Sequence, residues 1–242
     1  MNKIVVEKNK ISSNFPLKID NFNINLENND VFIIYKDSNC NFKFNIKNDL
    51  KIYEYYTNST CYNTYNLDNN INLTLNRFCF DCSFKTDINL SYKSNILYKY
   101  ACISLNDNNY IINVYHNDKD TTSKVVNYGI NFTDKKLDFL INSYVKKESI
   151  NSNAIQDSKI ILKRNGNSSI KPNLIIDNNE ISSSHSAYIG NFKSNEIFYL
   201  QSRGISYDKA IKLLAKSFLT SNMEIDELIN LILDDLDRIW GV

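Results

Sequence analysis

Glycine and proline are scarce in this sequence, which has 5 glycines and 2 prolines among 242 residues. Tight β-hairpins usually need a glycine in an Asn-Gly or Asp-Gly turn, so the sequence does not favour an antiparallel sheet built from such hairpins. The Asn-Gly-Asn segment at residues 165–167 is one candidate for a tight turn. Asparagine, with about 40 residues, tolerates the left-handed backbone conformation. We therefore expect asparagine to form the corners that glycine would otherwise form.

Long apolar segments and an excess of one charge are also absent. No run approaches the roughly 20 apolar residues that cross a bilayer, and the amino-terminal MNKIVVEKNK lacks the apolar stretch of a signal peptide. The 28 Lys and Arg residues nearly balance the 27 Asp and Glu residues, whereas binding to a nucleic-acid backbone relies on an excess of positive charge. The sequence predicts a cytoplasmic protein without a nucleic-acid or membrane partner.

Cysteine is infrequent, and its number is odd. The five residues all lie in the first half of the chain, at Cys40, Cys61, Cys79, Cys82 and Cys102. An odd number of cysteines without a signal peptide argues for reduced thiols and against a disulfide framework. A chain of 242 residues can bury roughly three quarters of its unfolded surface, so it needs neither disulfides nor a metal to fold.

Short apolar or alternating runs follow one another from about residue 14 to residue 191. They are rich in Tyr, Ile, Phe and Val, which favour strands, and clusters of Asn, Asp, Ser and Lys separate them. The runs are VFIIYK, FKFNIK, KIYEYY, INLTLNRF, INLSYK, YIINVY, KIILKR, NLIID and SAYIG. A parallel solenoid fits this pattern, with coils of some 20 to 25 residues and asparagine side chains stacked between coils. Periodicity alone leaves a β-sandwich open.

The pattern becomes helical after residue 191, where apolar residues recur at helical spacing. Three short helices are predicted. The first is capped by Ser194 and ends at Gly204, the second is capped by Ser206, and the third runs from about Met223 to Trp240. We therefore divide the chain into a β domain at 1–191 and a helical domain at 192–242.

Two polar motifs have simple structural interpretations. Cys79 and Cys82 have CxxC spacing, but residues three apart on a strand point to opposite faces, so the thiols converge only if the strand breaks between them. His116 is interpreted as a polar residue at a strand end. The serine-rich stretch around His185 lacks the GxSxG turn of a hydrolase, and neighbouring strand residues face opposite ways. Spacing alone favours a solvated strand end there.

The segment KPNLIIDNNEISSSHSAYIGNFKSNEIFYLQSRGISYDKAIKLLAKSF, residues 171–218, closely resembles the end of the SufB/SufD family of iron–sulfur cluster assembly proteins. The family pattern is Pro-x-Leu-x-Ile, Cys-Ser-His-Gly-Ala, a glycine, Phe-Tyr-Leu-x-Ser-Arg-Gly-Ile and a helix ending in Phe. The matching residues are Pro172, Leu174, Ile176, Ser184, His185, Ala187, Gly190, Phe198, Tyr199, Leu200, Ser202, Arg203, Gly204, Ile205, Ala210 and Phe218. Ser183 replaces the usual Cys and Ser186 the usual Gly. No cysteine follows Cys102, so the cluster cysteine typical of SufB is absent and the chain is more similar to SufD.

The resemblance implies a mainly β protein, in which a right-handed parallel β-helix precedes a small helical domain. It implies a scaffold subunit, not an enzyme, that works with the ABC-type ATPase SufC. It also implies pairing, through the last coils, with a second copy or a SufB-like paralogue. The chain is short for the family, so we expect it to lack the family's amino-terminal domain. The residues expected to bind the ATPase are Phe198, Tyr199, Leu200, Arg203, Gly204, Lys209 and Lys212.

A transient iron–sulfur cluster is the cargo that the resemblance implies, and no intrinsic cofactor is expected. His185 is the first candidate ligand of iron or of a cluster, because imidazole commonly ligates iron; Cys102 and Cys79 are weaker candidates. Two other functions stay open. One is a degenerate family member that only holds the ATPase, and the other is a β-helix carbohydrate-active enzyme, for which no paired carboxylates are visible.

Overall fold

The computed structural model describes residues 1–20, 22–27, 29–164 and 166–241, which form a parallel β-solenoid of about seven turns followed by three helices. The predicted β-helix is therefore confirmed. The strands are β1 (Asn2–Glu7), β2 (Lys10–Ser13), β3 (Ile19–Asp20), β4 (Asn23–Leu26), β5 (Val31–Lys36), β6 (Asn39–Ile46), β7 (Leu50–Thr57), β8 (Thr60–Leu67), β9 (Asn72–Phe80), β10 (Ser83–Leu90), β11 (Asn95–Ser104), β12 (Asn108–His116), β13 (Thr122–Asn131), β14 (Leu137–Val145), β15 (Ser152–Leu162), β16 (Ser168–Ile176) and β17 (Ile181–Gly190).

Each turn of the solenoid gives one strand to each of two sheets. Sheet 1 has the order β17-β15-β13-β11-β9-β7-β5-β1-β2, and sheet 2 has the order β16-β14-β12-β10-β8-β6-β4-β3. Neighbouring strands are parallel, except for the antiparallel pairs β1–β2 and β3–β4 at the amino-terminal end. The candidate turn at 165–167 lies partly outside the described residues, at Asn165. Its flanking strands, β15 and β16, belong to different sheets, so it does not join a hairpin.

The coils lengthen along the chain. Stacked asparagines are 20 residues apart at Asn25 and Asn45, but 31 residues apart at Asn142 and Asn173. The predicted 20 to 25 residues is right for the coils between β4 and β11 and wrong for the later ones. It is also wrong for the step from β1 to β5, in which Asn2 pairs with Val31. The strands themselves grow, from 6 residues in β5 to 11 in β15.

Asparagine forms many of the corners, as predicted, and aspartate forms others. Among the residues with positive φ are Asn58 at 46°, Asn70 at 62° and Asp81 at 49°. A short polar side chain tolerates this left-handed conformation better than a branched or bulky one. The solenoid thus turns its corners with few glycines.

Asparagine side chains also connect successive coils on the outer face of sheet 2. The Nδ2 of Asn45 donates to the Oδ1 of Asn25 at 3.0 Å, Asn66 donates to Asn45 at 3.0 Å, and Asn89 donates to Asn66 at 2.9 Å. Each amide both donates and accepts, so one residue type repeated at one position can bridge every coil. The predicted asparagine stacking is confirmed.

The interior of the solenoid is mostly apolar, with one buried ion pair. Arg77 and Glu54 have fully buried side chains, and the Nε of Arg77 donates to the Oε2 of Glu54 at 2.6 Å. The other guanidinium nitrogens donate to the Oγ1 of Thr86 at 2.6 Å and to the hydroxyl of Tyr65 at 3.0 Å. These hydrogen bonds compensate the two buried charges for the loss of their hydration.

Three helices follow the solenoid, as predicted: α1 (Ser194–Ser202), α2 (Tyr207–Thr220) and α3 (Asp226–Trp240). Two predicted starts are wrong by a few residues, because Lys193 and not Ser194 is the N-cap of α1, and α3 begins at Asp226 and not at Met223. Ser206 is the N-cap of α2. Gly204 has a φ of 82°, and its N–H donates to the carbonyl of Gln201, which ends α1 in the left-handed conformation typical of glycine.

The helices α2 and α3 pack on the outer face of sheet 1. They share a second hydrophobic core with that sheet, which includes Phe78, Ile130, Leu219 and Leu236. The hydroxyl of Tyr55 donates to the buried carboxylate of Asp235 at 2.9 Å. Within the described part of the chain, no helix is both long and apolar enough to span a bilayer.

Candidate functional site

The carboxy-terminal end of the solenoid is open. Strands β16 and β17 are the last strands of the two sheets, and among the described residues no further strand pairs with them. The core-facing side chains of β16 are only half-buried: Ile170, Pro172, Leu174 and Ile176. The core-facing side chains of β17 are exposed from its third residue onward: Ser183, His185, Ala187 and Ile189. The last coil therefore presents to solvent the positions that the earlier coils bury.

His185 lies at the mouth of this open end. It pairs in register with Gln156 of β15, whose side chain is buried and donates from Nε2 to the Oγ of Ser143 at 2.8 Å. Because parallel strands in register place equivalent side chains on the same face, His185 lies on the core-facing side. It is nonetheless exposed, since no coil covers it. Its imidazole is accessible to a partner or a metal that approaches the end of the solenoid.

The two candidate cysteines lie together but far from His185. Cys79 of β9 and Cys102 of β11 face each other in register, and both are fully buried. Three strand steps separate β11 from β17 in sheet 1, which is about 14 Å at the usual spacing between strands. The structure therefore does not bring the predicted histidine and cysteine ligands into one site.

Burial also makes these thiols poor ligands at neutral pH. It raises the pKa of Cys102 to about 12 and holds the pKa of Cys79 well above its usual value. A metal ligand must be the thiolate, so a protonated thiol first has to lose its proton. The ligand roles of Cys79 and Cys102 stay predictions.

The CxxC segment does break between its cysteines. Strand β9 ends at Phe80, and Asp81 takes a φ of 49°, so Cys82 lies in the corner. The Cys82 thiol donates to the carbonyl of Phe80 at 3.1 Å and accepts from the N–H of Ser59 at 3.3 Å. Across the described ranges, no group of three or more His, Cys, Asp or Glu side chains could hold a metal ion.

A second candidate site lies on α1, which has no buried residue. Phe198 is 72 % exposed and Tyr199 is 57 % exposed. The guanidinium of Arg203 lies 5.3 Å from the centre of the Tyr199 ring. We call these three residues the α1 surface. Large aromatic side chains are costly to leave in water and are enriched, together with arginine, in protein interfaces.

The remaining predicted docking residues have different environments. Leu200 is half-buried, and Gly204 supplies the turn to α2. Lys209 is exposed, whereas the Nζ of Lys212 forms an ion pair with Asp237 of α3 at 3.0 Å. The structure thus leaves Lys209 available to a partner and ties Lys212 into the packing of the helices.

Two exposed apolar residues of α2 were not among the predicted docking residues. Tyr207 and Leu213 of α2 are both exposed. Tyr207 fits the apolar helical spacing of α2. Leu213 departs from that spacing, and an isolated leucine on a polar helix face was the available signal.

Comparison with known proteins identifies a family for more than half of the chain. A family model described as "SUF system FeS cluster assembly, SufBD core domain" matches residues 92–218. The matched region begins in the middle coils and ends in α2, so it includes the open end of the solenoid and the α1 surface. No curated protein matches the chain.

Proposed function

This chain belongs to the SufBD family of the SUF system for iron–sulfur cluster assembly, and from that premise we propose that it is a scaffold subunit that works with an ABC-type ATPase. In this proposal the chain supplies binding surfaces and carries out no reaction of its own. The helices dock the ATPase, and the open end of the solenoid binds either a second copy or a paralogue. The cluster is the cargo of the assembly.

The observation that carries the proposal is the α1 surface. Helices α2 and α3 bury apolar residues against sheet 1, but α1 buries none and exposes Phe198 and Tyr199. An exposed aromatic pair with an adjacent arginine has the composition of an interface hot spot. A partner that covers α1 would bury these rings and take up the charge of Arg203 with an acidic group.

The test is calorimetric titration of the cognate ABC-type ATPase into the full chain. We expect the double variant Phe198→Ala/Tyr199→Ala to weaken binding by at least about 30-fold, which corresponds to ~2 kcal/mol, because both rings lose their contact area. Arg203→Ala should weaken binding as well. Tyr144→Ala, on sheet 2 and away from the helices, is the matched control and should bind like the wild type.

Unchanged affinity in the double variant would contradict the docking site. Point variants are preferable to removal of residues 194–242. That truncation would expose the second core and break the ion pairs of Lys51 and Lys99 with Glu224, at 2.8 and 2.7 Å. A loss of binding after truncation would then report unfolding as readily as docking.

The cargo site is tested at His185. We expect His185→Ala to lower the iron and sulfide loading in anaerobic cluster reconstitution with the ATPase and the partner present, because the variant removes the exposed imidazole at the open end. Ser184→Ala, the adjacent residue on the other face of β17, is the control and should load like the wild type. Equal loading of His185→Ala, with the complex intact, would make the histidine a structural residue.

A further inference from the structure

Two cysteines on neighbouring coils lie in direct contact near the amino-terminal end of sheet 2. Cys40 of β6 pairs in register with Cys61 of β8, and their Sγ atoms are 2.7 Å apart. Both are free thiols. Neighbouring strands lie about 4.8 Å apart, which falls within the range of about 4.4 to 6.8 Å between the Cα atoms of a disulfide. Little movement of the backbone is needed to join the two sulfurs.

Solvent reaches this pair because the coil before it is short. Strand β4 begins at Asn23, which pairs with Lys43, so no residue of β4 lies over Cys40. Cys40 is therefore half-buried, whereas Cys61 is buried beneath it. Both cysteines line a cleft of about 850 Å³. Cys79 and Cys102 also face each other in register, but both are fully buried in the middle coils.

The cleft has the chemistry to admit a small anionic molecule. Its lining includes Phe42, Tyr62, Lys43 and Lys85. Lys43 is exposed, and the Nζ of Lys85 lies 4.5 Å from the centre of the Tyr62 ring. Two ammonium groups at the rim of an apolar cleft suit a ligand that carries carboxylates.

The two thiols are unequal in reactivity. The hydrogen bond with Cys40, together with burial, raises the pKa of Cys61 far above its usual value. Cys61 therefore stays protonated. Cys40 is the accessible member of the pair, and an accessible thiol beside a second cysteine that can resolve it is the arrangement of a redox-active pair.

We propose that Cys40 and Cys61 are a reversible dithiol–disulfide pair that exchanges with a small anionic disulfide of the glutathione type. The Cys40 thiolate attacks one sulfur of the oxidant, the oxidant S–S bond breaks, and one glutathione leaves and takes up a proton. Cys61 then loses its proton and attacks the Cys40 sulfur of the mixed disulfide, which releases the second glutathione. The protein loses two electrons and two protons, and the oxidant gains both as two thiols.

The test uses the folded chain of 242 residues in anaerobic buffers that span a range of ratios of reduced to oxidised glutathione. Thiols are trapped by alkylation and mapped by mass spectrometry. We expect the free thiols of Cys40 and Cys61 to disappear together as the buffer becomes more oxidising. The two residues should then appear in one pair of disulfide-linked peptides, while the other three thiols stay reduced. Cys61→Ser should stop at a mixed disulfide of Cys40 with glutathione, and Cys40→Ser should not react. Cys102→Ser is the matched control and should behave like the wild type.

Three results would overturn the proposal. They are an unreacted pair in the most oxidising buffer, persistent glutathionylation of Cys40 in the wild type, and a Cys40–Cys61 link that forms only in urea. The anionic nature of the oxidant is tested separately with Lys43→Glu/Lys85→Glu, which should slow oxidation by glutathione several-fold at low salt. An unchanged rate would show that the two lysines do not select the oxidant.

Discussion

His116 is a neutral residue in the interior of the solenoid. It is the last residue of β12, as the strand-end interpretation predicts, but it is buried and not solvated. Its Nδ1 lies 2.7 Å from the Oγ1 of Thr121, and its Nε2 lies 2.9 Å from the Oγ of Ser123. A neutral imidazole donates with one nitrogen and accepts with the other, so both hydroxyls are satisfied. Burial lowers the pKa of His116 from 6.5 to about 4.

This lowered pKa predicts a loss of stability in mild acid. Between pH 6.5 and about 4 the unfolded chain binds a proton that folded His116 does not, so the free energy of unfolding falls as the pH falls. We expect a loss of about 2 kcal/mol between pH 7.5 and 5, measured by urea unfolding. His116→Gln, which keeps a donor and an acceptor, should flatten this dependence. Parallel pH profiles for the two proteins would contradict the assignment.

At the scale of the element, the asparagine ladder on sheet 2 connects separate strands into one stack. Asn66 lies in its middle, where it donates to Asn45 and accepts from Asn89. We expect Asn66→Ala to lower the free energy of unfolding by about 1 kcal/mol for the lost hydrogen bonds, as measured by urea unfolding. Asn69→Ala, at an exposed turn, is the control and should change stability little. Equal stability of the two variants would show that the ladder contributes nothing.

Elements were predictable where the local chemistry determines them. The corners and ladders follow from the asparagine side chain itself, and α1 ends at Gly204 because glycine takes a positive φ. The run INLSYK was assigned wholly to a strand, but β10 ends at Leu90 and the chain turns a corner, with Lys93 at a φ of 54°. A lysine in that conformation leaves no signal in the sequence, since lysine has no special preference for it.

The candidate site was predictable only in part. The family resemblance gave His185 and the residues of α1 as candidates, but the distance from Cys102 to His185 depends on how many strands separate β11 from β17. That number depends on coil lengths, which vary from 20 to 31 residues and follow no repeat. The buried pair of Glu54 and Arg77 was missed as well, although each is a charged residue between strand-forming neighbours in its run, which was a visible signal.

At the scale of the whole molecule, the open end predicts self-association when no paralogue is present. We expect a dimer at micromolar concentration by light scattering, because the half-buried apolar side chains of the last coil would be covered. Ile189→Glu should give a monomer, since it places a charge on the core-facing side of β17. Ile19→Glu is the matched control at the other end, because Ile19 and Ile189 are 41 % and 40 % exposed. It should stay dimeric, and a monomeric wild type would contradict the prediction.

The lengthening of the coils makes the two ends of the solenoid incompatible with each other. On sheet 2, the amino-terminal end has the antiparallel strand β3 at its edge and a spacing of 20 residues between stacked asparagines, whereas the other end has the parallel strand β16 at its edge and a spacing of 31 residues. Copies stacked head to tail would have to pair the long coil at one end with the shorter coil at the other end, whose sheet edge is already covered by an antiparallel strand. An exposed β-edge usually invites filament growth. We therefore expect only like ends to meet, so that association would stop at two copies and the exposed edge would not lead to fibres at high concentration.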